Sequence, residues 1–385
     1  MYSSQHTACG IICEANPLHR GHVRLIQQAK KQYGTVVAAL SGAFVQRGTP
    51  GFLDKWSRAH FLLRHGVDLV IEIPQAYVLQ NADLFARGGV EALSCIPAVS
   101  ALAFGIEEQA HTTIRPLHSE TVQQTIHRLM QNGTSYRRAV EEASGGLSLP
   151  NQILAVQYEN ALRELHLSWK ILRLPRPAFD AKIAPSASLL RRNMQAVLQE
   201  SASSCTPDQL LHLLQTDTRF SGLEEKESLV QCALGESMEA FLPLCRALIL
   251  LEKFTLSPSP QFETGMDYRF IKAIQQASRM EEAFTLAANK RQSKARYRRL
   301  LLTTLLGIEK ASLVPIDYVR PLAFTEKGAT LLREVSLPIY QKTSATQKSR
   351  TFSSLFCIDQ KAQRLYEWLK GLENLDRLQT FYHTH

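Results

Sequence analysis

The stretch ACGIICEANPLHRGHVRL (Ala8–Leu25) changes its hydrophobic period in the middle. Ala8–Glu14 is a short, nearly continuous apolar run, the pattern of a strand buried on both faces. From Gly21 to Gln32 the apolar residues fall at helical spacing. Between the two lies the turn Asn16-Pro17-Leu18-His19-Arg20-Gly21-His22. The alternation recurs downstream. Thr35–Leu40, Asp68–Ile73 and Ser100–Phe104 read as buried strands, whereas Lys55–His65 and Asn81–Leu93 read as helices, the first stopped by Gly66. Strand and helix in this order predict an α/β fold: a Rossmann-like parallel sheet with right-handed crossovers and a ligand crevice at the carboxyl ends of the strands.

The chemistry of the first turn suits a nucleotide. Free N–H groups and the positive end of a helix dipole favour phosphate, and Gly21 allows close approach to the backbone. His19 and His22 lie one turn apart and are the candidate catalytic pair, able to donate to one phosphate as its charge moves in the transition state. Solvated surface histidines or metal ligands are the alternatives, which the preceding strand and following helix disfavour.

Composition bounds the partner. At 385 residues the chain has room for two domains, and 45% apolar with 21% charged residues describes an ordinary globular protein. A surplus of 44 Lys and Arg over 35 Asp and Glu, a net charge of +9, favours a polyanion. The seven cysteines are scattered without a Cys-x-x-Cys pair, so neither a disulfide framework nor a zinc site is expected. Met1–Gly10 has no basic region of the signal-peptide kind, and the apolar stretch Ala247–Leu251 is too short to span a bilayer. The expectation is a cytoplasmic protein without a membrane partner.

After about residue 200 the strand signal fades. Thr206-Pro207 reads as a helix start, and Leu242–Lys253, Asp267–Ala277, Arg296–Leu306 and Ala362–Leu372 carry helical stripes. Glu142–Ser148 reads as a loop. These patterns predict an α/β domain over residues 1–200 and a mostly α-helical, basic domain over 201–385.

The segment GIICEANPLHRGH resembles the His-x-Gly-His signature of the nucleotidylyltransferase superfamily. Within it, SGAFVQRGTPGFLDKWSRAHFLLRHGVDLVIEIP (Ser41–Pro74) resembles the bacterial tRNA(Met) cytidine acetate ligase family. The similarity continues through AFGIEE (Ala103–Glu108), LPNQILAVQYENAL (Leu149–Leu162), ILRLPR around Arg173 and APSASLLRR (Ala184–Arg192). It returns in NKRQSKARYRRLLLTTLLGI (Asn289–Ile308), DYVRPLAFTEKG (Asp317–Gly328) and LPIYQK (Leu337–Lys342). Such ordered coverage implies a nucleotidylyltransferase-like ATP-binding catalytic domain followed by a helical tRNA-binding domain. The implied reaction joins acetate and ATP to acetyl-adenylate and pyrophosphate, with Mg²⁺ bridging phosphates. The acetyl group then passes to N4 of the wobble cytidine of elongator tRNA(Met), releasing AMP; no obligate protein partner is implied.

The resemblance assigns ATP contacts to Ile12, Cys13, Glu14, Ala15, Asn16, Pro17, Leu18, His19, Arg20, Gly21, His22, Val23, Arg24 and Leu25, and to Gly105, Asn151 and Arg173. On local chemistry alone Gly105 is equally a turn glycine, Asn151 a helix cap and Arg173 a surface arginine. Ser186, Ser188 and Arg191 look like the second phosphate motif of the superfamily; a Ser-capped helix with an exposed arginine is the alternative.

The loop Ser41–Asp54 contains Gly42, Gly48 and Gly51 and follows the second strand, so it can fold over the crevice. The loop and the start of the next helix supply Ser41, Gly42, Gln46, Arg47, Asp54, Lys55 and Arg58, the candidates for recognising acetate or cytidine. Two residues depart from the family pattern: Ala43 stands where Asn is expected and Ala15 where an aromatic residue is usual. The run Lys290, Arg291, Lys294, Arg296, Arg298 and Arg299 contains no acidic residue and is the candidate tRNA-binding edge, extended by Arg269, Lys272, Arg320 and Lys327. Two other functions compete: a nucleotidylyltransferase adenylylating a small phosphorylated metabolite, which leaves the basic half idle, and a non-catalytic tRNA-binding protein, which leaves the two phosphate motifs idle.

Overall fold

The computed structural model describes residues 7–107, 120–132, 134, 136–144, 150–176, 189–194, 196, 212, 214–216, 220, 223–224, 226, 237–341, 353–372 and 382–384. Its first half runs β1 (Ala8–Cys13), α1 (Arg20–Tyr33), β2 (Val36–Ser41), α2 (Lys55–Arg64), β3 (Leu69–Ile73), α3 (Gln75–Val78), α4 (Ala82–Ser94), β4 (Val99–Glu107), α5 (Glu120–Gln131), α6 (Tyr136–Ser144), α7 (Pro150–Glu164) and β5 (Lys170–Arg176). Helix ends follow local chemistry. Gly34 ends α1 in the left-handed region at φ 73°, and Gly66, just past α2, sits at φ 105°, where a β-carbon would be strained.

The strands form one sheet in the order β5-β4-β1-β2-β3, continued by two strands from the second half of the chain. β1 pairs in parallel with β2 on one side and β4 on the other. The strand order therefore reverses beside β1, and the crevice at a parallel sheet's carboxyl edge opens at such a switch point. Side chains alternate between faces: Val36, Ala38 and Leu40 of β2 join the core under α1 and α2, whereas Val37 and Ala39 join the core containing α3 and α4.

In the second half come α8 (Phe241–Leu250), α9 (Met266–Gln276), α10 (Met280–Ala287), α11 (Lys294–Leu306), β6 (Pro321–Thr325), α12 (Glu326–Arg333), α13 (Ser354–Lys370) and β7 (Tyr382–Thr384). The helical windows of the sequence appear with shifted ends. β6 was not anticipated: a run of five residues opening on proline carries too little period-2 signal, yet it pairs antiparallel with β3 and is itself paired by β7. Residues beyond 201 thus complete the sheet begun in the first half. The proposed division at residue 200, the Thr206-Pro207 helix start and part of the Glu142–Ser148 loop lie outside the described residues; Glu142–Ser144 close α6. No helix among the described residues is long and apolar enough to cross a membrane.

Candidate active site

β1 delivers the chain to the sheet's carboxyl edge, and the turn from Glu14 to His19 carries it into α1. Ala15 sits at φ 45°, in the left-handed region, and the Asn16-Pro17 bond is cis. His19 is the N-cap of α1: its Nδ1 accepts from the Gly21 N–H at 3.0 Å. With Nδ1 accepting, the proton of the neutral ring resides on Nε2, which becomes a donor. The His19 and His22 rings lie 4.0 Å apart between centroids. A β-carbon on Gly21 would stand 2.8 Å from the His19 ring, so glycine here makes room for that ring as well as for a ligand.

Of the other residues in this segment, Arg20, Gly21 and Arg24 are exposed, Ile12 and Glu14 are half-buried, and Val23 and Leu25 pack partly on the core beside Leu18. Burial pushes the Cys13 thiol up to about 12, which keeps it protonated and non-nucleophilic. Asn16 is buried, and its Oδ1 accepts from the Phe52 N–H at 2.7 Å, fastening the turn to the Ser41–Asp54 loop.

Arg191 joins this turn from the second predicted motif. It is buried, and its Nη1 donates to the Asn16 carbonyl. The alternative of an exposed arginine is excluded. Residues 223–224 also reach the turn: Leu223 bridges His19, the Glu224 N–H donates to the Leu18 carbonyl, and the Glu224 carboxylate lies 3.8 Å from Arg20.

The Ser41–Asp54 loop folds on itself. Val45 N–H bonds to the Thr49 carbonyl and Gly51 N–H to the Ala43 carbonyl, each at 2.9 Å. Two predicted ligand contacts turn inward. Asp54 caps α2, accepting from the Trp56 and Ser57 N–H groups at 2.9 Å each. The Lys55 ammonium is buried and lies 3.1 Å from both Glu72 oxygens, and Arg320 approaches the same carboxylate at 3.3 Å. Arg320, expected on the cationic surface, is only 1% exposed. Gly42 rests on this cluster: a β-carbon there would fall 2.2 Å from Glu72 Oε1. Arg58 is likewise buried and holds the loop, donating to the carbonyls of Leu53, Glu14 and Gly42. Ser41 is buried beside it, which leaves Gln46 and Arg47 at the tip, Arg47 exposed.

Glu72 went unrecognised in the sequence, as did Asp359 on α13, which accepts from the Gln75 N–H and the Tyr318 hydroxyl. The signal was there: a glutamate inside the apolar run of DLVIEI needs a buried cation.

Gly105 lies within β4 and not after it. Phe104 pairs with Arg173 and Gly105 with Leu174 on β5, so two predicted ATP residues are brought side by side. The Arg173 guanidinium is exposed and held by Glu159 of α7 at 2.7 Å. Asn151 falls in the first turn of α7. Ser186 and Ser188 lie outside the described residues.

The basic run is less cationic in space than in sequence. Lys294 and Arg298 pair with Glu281 at 3.5 and 2.6 Å, and Arg296 pairs with Glu263 at 2.8 Å. Arg299 is buried. Lys290 and Arg291 are exposed. The acidic partners come from α10 and the 261–263 turn, which a linear scan does not bring near.

Known proteins resemble the chain over almost its whole length. The family model HIGH Nucleotidyl Transferase matches residues 6–379. A tRNA(Met) cytidine acetate ligase of Latilactobacillus sakei subsp. sakei is 31% identical, with 97% of each chain covered. That of Caldanaerobacter subterraneus subsp. tengcongensis is 30% identical, covering 91% of this chain and 94% of its own. The crystal structure of Thermotoga maritima TmcAL bound with alpha-thio ATP superposes with a TM-score of 0.78 at 22% identity, over 98% of this chain and 100% of that one, which shows the shared fold. Together with the strand–turn–helix that carries His19 and His22, these matches make the chain a member of the HIGH nucleotidyl transferase family and, within it, of the tRNA(Met) cytidine acetate ligases.

Proposed function

We propose that this chain condenses acetate with ATP to acetyl-adenylate and pyrophosphate, and then transfers the acetyl group to N4 of the wobble cytidine of elongator tRNA(Met), releasing AMP. The observation that carries the reading is the closely paired His19 and His22 rings at the start of α1, beside the sheet's switch point and tied through Asn16 to Arg191. Family membership supplies the acceptor.

In the first step an acetate oxygen attacks the α-phosphorus and the bond to the β-phosphate oxygen breaks. The protein contributes alignment and charge stabilisation. His19 Nε2–H and His22 donate to phosphate oxygens, the Ile12–Leu25 turn supplies helix-start N–H groups, and Gly105, Asn151 and Arg173 flank the nucleotide. Ser186, Ser188 and Arg191 hold the outer phosphates. In the second step the exocyclic amine attacks the acetyl carbonyl, AMP departs and the amine loses a proton. Gln46 and Arg47, at the loop tip, are the remaining candidates from that loop for touching acetate or cytidine.

Mg²⁺ would neutralise phosphate charge when bound. Among the described residues there is no group of three or more His, Cys, Asp and Glu that could hold it. The second half presents Lys290, Arg291 and Lys294 to tRNA, and a tRNA substrate sets the reaction in the cytoplasm.

Radiolabelled acetate should enter RNA only with ATP and elongator tRNA(Met) present. Label confined to acetyl-adenylate would overturn the acceptor, and no acetate-dependent ATP turnover would overturn the reaction.

A further inference from the structure

Arg299 carries a buried charge that faces neutral partners. It is 8% exposed, and its three donor atoms reach the Gln261 Oε1 at 3.0 Å, the Gln46 carbonyl at 3.3 Å and the Asn81 Oδ1 at 3.3 Å. No carboxylate among the described residues lies within ion-pair distance of it. Desolvation lowers its pKa to about 10, with Asp83 supporting the charge from farther away. Burying a guanidinium without a counter-ion is costly, so its geometry must serve the place where its hydrogen bonds end.

Those bonds end at the adenylation site. Gln46, whose carbonyl Arg299 holds, donates its own N–H to Glu14 Oε1 at 2.7 Å, and its side chain donates to the Gln80 carbonyl at 3.3 Å. Gln261 closes the ring by donating to Gln80 Oε1 at 2.9 Å. Glu14 is the first residue after β1, five positions before His19. The helix bearing the basic run is therefore wired through the backbone of one residue, Gln46, to the strand end that opens the nucleotide turn. Close packing holds the loop against the helix: a β-carbon on Gly48, whose φ is 74°, would stand 2.7 Å from the Arg299 backbone nitrogen.

We propose that Arg299 is a positioning residue for acetyl-adenylate formation, holding the Gln46 backbone so that it in turn fixes Glu14 and the nucleotide turn. The role rests on the activity proposed above. It assigns Arg299 to the first step, in contrast to the RNA contact that its place in a basic run suggests. A misplaced turn weakens the aligned transition state more than the bound ground state, so the loss belongs mainly to kcat.

The test is acetate-dependent ATP–pyrophosphate exchange without RNA, alongside equilibrium binding of elongator tRNA(Met). Arg299→Met should lower the exchange kcat by about 10-fold or more with a smaller change in the ATP KM. Affinity for RNA should stay within about 2-fold, because a buried side chain makes no phosphate contact. Arg299→Lys, which keeps the charge and one or two of the donors, should recover part of the loss; it is also the variant to read if Arg299→Met does not fold. Combined with Glu14→Gln, Arg299→Met should add little further loss, since both act on one contact. Unchanged exchange with weakened RNA binding would overturn the role, and so would fully additive losses. An unsubstituted chain inactive in exchange would overturn the proposed reaction and the positioning role with it, whereas an active one unaffected by Arg299→Met overturns the role alone.

Discussion

Arg191 donates a hydrogen bond to the carbonyl of Asn16, across 175 positions of sequence, and so locks the second predicted phosphate motif onto the first. A buried guanidinium that ends on a main-chain carbonyl of the turn fixes that turn, and a phosphate held there is the role proposed for it. Arg191→Ala should lower acetyl-adenylate formation by about 10²-fold, the scale of losing both alignment and a charge-assisted donor. Arg191→Lys should recover part of this, because a point charge cannot reproduce the fork. Pyrophosphate exchange on both variants, with folding checked by circular dichroism, gives the answer; wild-type rates in Arg191→Ala would remove the residue from the site.

His19 has two separable jobs. Its Nδ1 caps α1, and its Nε2–H is the proposed phosphate donor, so His19→Asn should keep the cap and lose the imidazole. The expected outcome is a thermal midpoint close to that of the unsubstituted chain and an adenylation rate about 10²-fold lower. His19→Ala should lose the rate and also about 1 kcal/mol of stability. His22→Ala, which touches no cap, should affect the rate about as much as His19→Asn. If His19→Asn retains full activity, the ring is a cap and nothing more.

Much of the fold was legible because its signals are local. The period change at Ala8–Leu25 marks β1, the turn and α1 together, and Gly66 marks a helix end by its left-handed backbone. What stayed hidden depends on contacts between distant segments. β6 has five residues and gains its meaning only by pairing with β3. Lys55, Asp54 and Arg320 look like ordinary surface charges in sequence and turn inward because Glu72, the N-cap of α2 and the Gly42 backbone meet there. Arg299 belongs to a continuous basic run, yet helical geometry turns it inward while Arg298, one residue earlier, pairs with Glu281.

The Lys55–Glu72–Arg320 cluster makes a stability prediction. Glu72→Leu leaves two buried cations without their carboxylate, and the expected cost is about 3–5 kcal/mol. Lys55→Met should cost less, because Arg320 still neutralises Glu72. Urea denaturation of the two variants compares them, and equal losses would show that Arg320 contributes nothing to the cluster.

Asp359 gives the fold a pH dependence of definite sign. Burial, chiefly, with the Glu72 charge beside it, raises its carboxyl to about 7, against about 4 in an unfolded chain. Between those values the folded state binds the extra proton, so this group stabilises most below about pH 4, and its contribution declines as the pH rises towards 7. Asp359→Asn cannot titrate, so its stability should fall less than that of the unsubstituted chain between pH 5 and 8. Parallel urea titrations at several pH values measure the difference; curves that stay parallel would place the Asp359 pKa near its ordinary range.

For tRNA docking, the ion pairs of α11 redirect the choice of residues. Reversing Arg296 or Arg298 would first break contacts with Glu263 and Glu281, so weaker RNA binding there would be ambiguous between docking and local structure. Lys290 and Arg291 are exposed and precede the helix. Lys290→Glu with Arg291→Glu should weaken binding of tRNA and of unrelated RNA alike, and should reduce the salt dependence of binding by about one counter-ion per lost phosphate contact. Exchange without RNA should remain intact in this variant, the opposite of the pattern expected for Arg299→Met. Binding measured across a range of salt concentrations separates these cases, and an unchanged salt slope would move the docking surface away from this turn.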